Sequence, residues 1–242
     1  MKLTKLFLVI LLSSSAFFSC KKEKENEKPY ECATCTRQPQ AMAANDNSSK
    51  GIYKGIFVGS SGTIKFDLSN NGSTMTAVLV IDGTTINLSA NVAWQAGQSY
   101  VAPFTGMYNG QPITVNFSVG ATGTTPTVTS SSIPGHPNAA FTIIKETSSS
   151  LVEAFEGTYT TTLPENGTFN MLLSRPLAKW SAIARKNGTT AASAVNGIIS
   201  GNNLIDPANN NRVVATISGD GVSGSFVDNN GKTVTITGQR TL

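Results

Sequence analysis

An internal duplication narrows the fold of this chain more than any other feature. Gly62-Thr63 is answered by Gly167-Thr168, Ser69 by Ser174, and Asp82-Gly83-Thr84-Thr85 by Asn187-Gly188-Thr189-Thr190, all at a spacing of 105. Upstream, Gly51-Ile52-Tyr53 is answered by Gly157-Thr158-Tyr159 at 106. Downstream, residues 113–118 (ITVNFS) are answered by 213–218 (VVATIS) at 100, and 141–144 by 234–237 at 93. A constant offset followed by slow drift marks a repeated unit whose loops are shorter in the second copy. The repeat also resolves a local conflict. Residues 178–186 (AKWSAIARK) favour helix, whereas their counterpart at 75–81 (MTAVLVI) favours strand. In register, Met75, Ala77, Leu79 and Ile81 stand opposite Trp180, Ala182, Ala184 and Lys186, the alternate positions that share one face of a strand. Propensity is the weaker argument, so both segments are predicted as strands.

The punctuation agrees. Asn-Gly or Asp-Gly occurs eight times, at 71–72, 82–83, 109–110, 166–167, 187–188, 196–197, 220–221 and 230–231. These pairs tolerate the positive φ that a two-residue hairpin turn requires. Between them run alternations such as Thr63-Ile64-Lys65-Phe66 and Thr233-Val234-Thr235-Ile236. Many short strands with regular turns predict an all-β fold. We expect two tandem, sequence-related antiparallel domains, each a small barrel or sandwich, at 51–147 and 157–242. One larger barrel or sandwich built from both repeats is the alternative. In the linker 148–156, Ser150-Leu151-Val152-Glu153 matches a capping box and predicts a short helical turn ended by Gly157. The two G-x-Y openings, with Tyr in place of Trp, are similar to the G-x-W opening of lipocalin- and streptavidin-like barrels.

The N-terminus is of a different kind. Lys2 and Lys5 precede an apolar run at 6–12 (LFLVILL), a small-residue stretch at 13–19 (SSSAFFS), and Cys20. The run is far short of the roughly 20 residues that span a bilayer and fits the apolar core of a secretory signal at 1–19. A cysteine directly after a small residue there resembles the lipobox of bacterial lipoproteins, with Phe17 where that family usually has an aliphatic residue. The resemblance implies diacylation of the Cys20 thiol, cleavage before it and acylation of the new amine. Several acyl chains hold a protein at a membrane with no spanning helix. With Lys21 in place of that family's inner-membrane retention Asp, the resemblance implies the outer membrane. Residues 21–28 (KKEKENEK) contain no apolar side chain and cannot fold on their own. By the same resemblance, charges placed there direct some lipoproteins to the cell surface, so the body faces the periplasm or the exterior. The whole of 20–50 is expected to be a lipidated, largely disordered tether.

Charge excludes one class of partner. Without residues 1–19, sixteen basic side chains face fourteen acidic ones. The body has no Lys/Arg cluster, the first requirement for binding nucleic acid. Cys32 and Cys35 form a C-x-x-C whose readings are a redox motif, half a metal site or a small-loop disulfide. The redox motif needs a βαβ setting, and zinc usually needs four ligands, whereas the single histidine, His136, is about a hundred residues away. A disulfide in an oxidising compartment fits the context.

No catalytic set stands out. Asp82, Asp206, Asp220 and Asp228 sit in turn sequences, Glu153 and Glu156 lie in the linker, and Asp67, Glu146 and Glu165 do not make an evident acid–base pair. No Ser occupies a G-x-S-x-G elbow, and no cofactor or metal site is expected. The copies differ most at Trp94, Tyr100, Phe104 and Tyr108, which have no aromatic counterparts in 197–212. Exposed, such a cluster would be a ligand platform; buried, it would be core. The sequence thus points to a non-enzymatic binding lipoprotein with a glycan or another small ligand. A structural or protein-interaction component of the envelope comes second, and a hydrolase third.

Overall fold

The computed structural model describes residues 29–58, 62–163 and 165–242. The expected signal segment, Cys20 and the charge run 21–28 lie outside the described residues. The chain is all-β, with two tandem eight-stranded antiparallel meanders. The first comprises β1 (Gly51–Val58), β2 (Gly62–Leu68), β3 (Met75–Ile81), β4 (Thr84–Ser89), β5 (Tyr100–Tyr108), β6 (Gln111–Val119), β7 (Thr127–Ser132) and β8 (Ala140–Glu146). Here β8 returns to pair with β1, leaving β7 and β8 as the edges of a nearly closed barrel. The second comprises β9 (Glu153–Thr161), β10 (Asn166–Ser174), β11 (Lys179–Lys186), β12 (Ala192–Ser200), β13 (Asn203–Asp206), β14 (Arg212–Ser218), β15 (Gly221–Val227) and β16 (Thr233–Arg240). It closes fully where β16 pairs with β9.

The turn chemistry behaves largely as expected. Asp82-Gly83 and Asn109-Gly110 have positive φ at both residues (47° and 76°, 51° and 74°), the geometry that suits the twist of a hairpin. Asn196-Gly197, however, lies inside β12. Its glycine is required by close approach, since a Cβ there would come within 2.6 Å of the Trp180 indole nitrogen. The Gly-Thr pair at spacing 105 has a similar origin. A Cβ on Gly62 would overlap the Phe57 ring, and one on Gly167 the Tyr159 ring. In each barrel an aromatic side chain of one strand lies over bare backbone of the next.

The register of the repeat is confirmed in the middle and corrected at the ends. Phe66 pairs with Ala77, and Met171 with Ala182, both at 105. Residues 179–186 are strand, as the repeat predicts and propensity does not. But Tyr53 pairs with Phe66 and Phe155 with Met171, so Tyr53 corresponds to Phe155 and the G-x-Y match is four residues out. The last strands are out by two, since Ile52 pairs with Glu146 and Ala154 stands opposite Thr241. Both slips are even, so inward and outward faces were still assigned correctly.

Two expectations fail. The linker has no helical turn: Thr147 bridges to Ser150, and the chain enters β9 at Glu153. Tertiary contacts override the capping pattern there. Val152 and Ala154 are buried between the barrels, and the Glu153 carboxylate accepts from Arg175 at 2.9 Å and pairs with Arg240 at 3.2 Å. The tether is also ordered from residue 29 onward, as a strap across both units. Arg37 makes a bidentate pair with Asp220 at 2.6 and 2.7 Å, the Cys32 amide donates to Asp220 at 2.7 Å, and Tyr30 donates to the Arg240 carbonyl. On the first barrel, Gln40 donates to Glu146 at 2.6 Å, and Lys145 donates to the carbonyls of Asn45, Asp46 and Ser48. Cys32 and Cys35 are joined in a disulfide.

The barrels are joined side by side. Every residue of β1 is buried because it serves two cores. Tyr53 and Phe57 fill the first barrel, while Ile56 and Val58 meet Val152, Ala154, Leu172 and Ile183 of the second. Lys54 and Glu146 form a fully buried pair at 2.6 Å beside this joint. Removing either partner of such a pair leaves an uncompensated buried charge.

Candidate functional site

The four aromatics singled out in the sequence do not form an exposed platform. Phe104 is wholly buried and Tyr100 nearly so, its hydroxyl donating to the Val92 carbonyl at 3.1 Å. Tyr108 packs at the margin of the same core. Trp94 is half-buried, donates to Ser49 Oγ at 2.8 Å and lies under the Lys50 ammonium, 4.3 Å from its ring centre. It pins the strap. The other three belong to the packing of the first barrel, where Phe66 lies 4.3 Å from Phe117 and 5.0 Å from Phe104 between ring centres.

The second barrel is built differently. Along the repeat, Phe66 is answered by Met171 at a spacing of 105, and Phe104 and Phe117 by Leu204 and Ile217 at 100. The cross-strand pair Leu79–Ile86 of the first barrel is replaced by Ala184–Ser193, and Ala77–Leu88 by Ala182–Val195. Its large rings move to the wall: Phe169 where the first barrel has Ile64, and Trp180 where it has Met75. These exchanges leave a cavity of about 460 Å³ in the lumen, within the range of small-molecule sites. Tyr159, Phe169, Trp180 and Phe226 form much of its wall. The Trp180 N–H is already satisfied by the carbonyls of Ile198 and Ile205 at 3.1 and 3.2 Å, so the indole offers apolar surface.

One end of this barrel is shut and the other is the mouth. Phe155, Leu173, Ile217 and Val222 are buried at the shut end. Outside them lie Glu153, Asp220 and Arg240, where the strap docks. The Arg37 guanidinium and the Cys32 amide hold the Asp220 carboxyl down at about 2. The mouth is rimmed by Asp206, Asn209, Arg212 and residues 228–230, on the turns that point away from the strap.

A bulge places the arginine. Leu204 pairs with Ala215 but Ile205 with Val213, so Val214 is an extra residue in β14. Below the bulge Ile217 and Ala215 face the core; above it the phase is shifted and Arg212 joins the cavity lining while Val213 is exposed. Bulges re-aim side chains in this way. The matching hairpin of the first barrel runs without a shift, with Pro112 opposite Met107. Arg212 donates to Asp206 at 3.1 Å and to the Val227 carbonyl, and its guanidinium lies 4.9 Å from the Phe226 ring centre.

None of Tyr159, Phe169, Trp180, Asp206, Arg212 or Phe226 was singled out from sequence as a site residue. The signal lay in the repeat itself, where small residues such as Ala184 and Ser193 replace large ones. His136, the only histidine, sits in a loop beside the rings of Phe57 and Tyr108. Among the described residues no cluster of three or more His, Cys, Asp or Glu is placed to hold a metal ion. Compared with protein-family models, with curated proteins and with solved structures, the chain gives no match.

Proposed function

We propose that this chain is an outer-membrane-anchored lipoprotein whose second barrel binds a small, largely apolar molecule without transforming it. The observation that carries this reading is the contrast in filling between two barrels of one design: six inward positions matched along the repeat are smaller in the second, and its large rings line a cavity. The apolar wall favours an apolar ligand over a glycan, whose hydroxyls would need many polar partners. The ionisable groups at the mouth are engaged with their surroundings: Arg212 with Asp206, and Asp228 with the amides of Asn230 and Lys232. That supports binding rather than acid–base chemistry. Since the strap enters at the shut end, a lipid anchor at Cys20 leaves the mouth directed away from the membrane.

The experiment is a thermal-shift panel of apolar small molecules and glycans on the purified chain. A ligand specific to the native state adds about 2.7 kcal/mol at a hundredfold excess over its Kd. The expected result is a shift with apolar compounds that disappears in Ala184→Leu/Ser193→Ile. A panel without any shift overturns the reading. Cys20→Ala is expected to release the protein from the membrane fraction; unchanged fractionation and processing refutes the anchor. The competing reading, an envelope protein that docks another protein, rests on β7, whose outer edge pairs with no further strand among the described residues. Such an edge can accept a strand from a partner.

A further inference from the structure

We propose that the molecule held in the second barrel carries an uncharged hydrogen-bond acceptor, such as a ketone or ester oxygen, and presents it to Nε of Arg212. This deepens the cavity reading and rests on it. The bulge at Val214 turns Arg212 into the lumen, whereas the β5–β6 hairpin of the first barrel has no such shift. Two of its guanidinium nitrogens are engaged, by Asp206 and the Val227 carbonyl, and the group is stacked on Phe226. The third, Nε, is buried and has no hydrogen-bond partner among the described residues. A buried donor left unpaired is costly, and an acceptor brought by a ligand removes that cost.

The charges around it select the kind of acceptor. Asp206 already balances Arg212, and Asp228 lies on the same rim. Lys186 and Lys232 are both drawn to Glu165, at 3.5 and 3.4 Å. These three carboxylates and three cations therefore balance one another. An anionic ligand head would meet Asp206 and Asp228 without a free cation to offset them, and an ammonium would face Arg212. A neutral oxygen meets only the donor. The rings of Tyr159, Phe169 and Trp180 around the cavity suit a flat apolar body behind that oxygen.

The test compares three probes of one skeleton on the full chain by titration calorimetry: naphthalene, 2-acetonaphthone and 2-naphthoate. The expected order places 2-acetonaphthone about tenfold tighter than naphthalene, the value of one hydrogen bond to a charged donor, with 2-naphthoate no tighter than naphthalene. Arg212→Lys keeps a cation for Asp206 but has no Nε–H, and is expected to erase the ketone's advantage. Should that variant fail to fold, the order of the three probes on the unaltered chain still decides. Equal binding of ketone and hydrocarbon, or tightest binding of the naphthoate, overturns the inference and leaves the cavity reading standing. If none of the three binds, the cavity reading falls and the inference with it.

Discussion

At the level of Phe66, Phe104 and Phe117 the first barrel is filled by three rings in contact. The core of the second holds Met171, Leu204 and Ile217 instead, and beside them a cavity is open to the mouth. The two share a meander, a register over β2–β3 and β10–β11, and a glycine beneath an aromatic ring. What differs is side-chain volume on the inward face and one extra residue in β14. A duplicated barrel can thus keep one copy as a packed scaffold, on which the strap and the joint are built, while the other gives up packing for a cavity.

The sharpest way to break that comparison is to cut one buried core side chain in each barrel. Phe104→Ala in the first barrel is expected to cost about 4 kcal/mol, as for a large ring removed from a close-packed core. Leu204→Ala, beside the cavity of the second, is expected to cost only about 2 kcal/mol. Urea melts monitored by circular dichroism give both values. Equal costs would mean the second barrel is packed as tightly as the first.

Next in size is the strap that ties both barrels together. Asp220→Asn weakens the pairs with Arg37 and Arg240 and is expected to cost about 2 kcal/mol at neutral pH. The carboxyl titrates at about 2 in the folded chain against an ordinary 3.8. Its contribution is fully present above pH 3.8 and is lost as pH falls from there towards 2. The difference between the parent and Asp220→Asn melts should therefore shrink below pH 4. A difference that stays constant down to pH 2 would remove Asp220 from the latch.

Making the second barrel resemble the first gives a smaller change of opposite sign. Ala184→Leu with Ser193→Ile restores the side chains of Leu79 and Ile86. It is expected to raise stability by about 1 kcal/mol through added apolar burial while abolishing ligand-induced shifts. A loss of stability would indicate that the cavity is too narrow to take those side chains without strain.

How much of this was legible beforehand follows from what the repeat encodes. Alternation and turn dipeptides fixed the strands, and the alignment of Ala182 with Ala77 rescued β11 from its helical composition. Slips of four and two residues went unseen because even shifts preserve the apolar pattern. The tether expected over residues 29–50 is instead an ordered strap because its partners lie up to 210 positions away, as for Tyr30 with Arg240. The site was misplaced because aromatic residues are conspicuous wherever they are. Of the two readings open for Tyr100 and Phe104, platform or core, burial decides for core, whereas a cavity is written in the small residues opposite. Arg212 was hidden for a further reason: its direction depends on a bulge, which a gapless match of 113–118 to 213–218 conceals.

The joint between the barrels offers the finest test. Glu156 lies on the outer face of β9, and burial, with a contribution from Asp82 of the first barrel, pushes its carboxyl up to about 7 from an ordinary 4.5. A raised carboxyl binds its proton more tightly in the folded chain. Stability from this group is therefore fully present below pH 4.5, declines as pH rises towards 7, and is flat above. Lys54, in the same joint, is held below its ordinary value by burial, against the pull of Glu146. Glu156→Gln removes the titrating group but keeps its shape. It is expected to gain about 1 kcal/mol at pH 8, once solvent screening of a partly exposed group is allowed for, and nothing at pH 4.5. Melts at the two pH values check it. A gain at both would mean that Gln simply packs better. No gain at either would mean that Glu156 stays solvated, and that the barrels meet less closely than Ile56, Ala154 and Leu172 require.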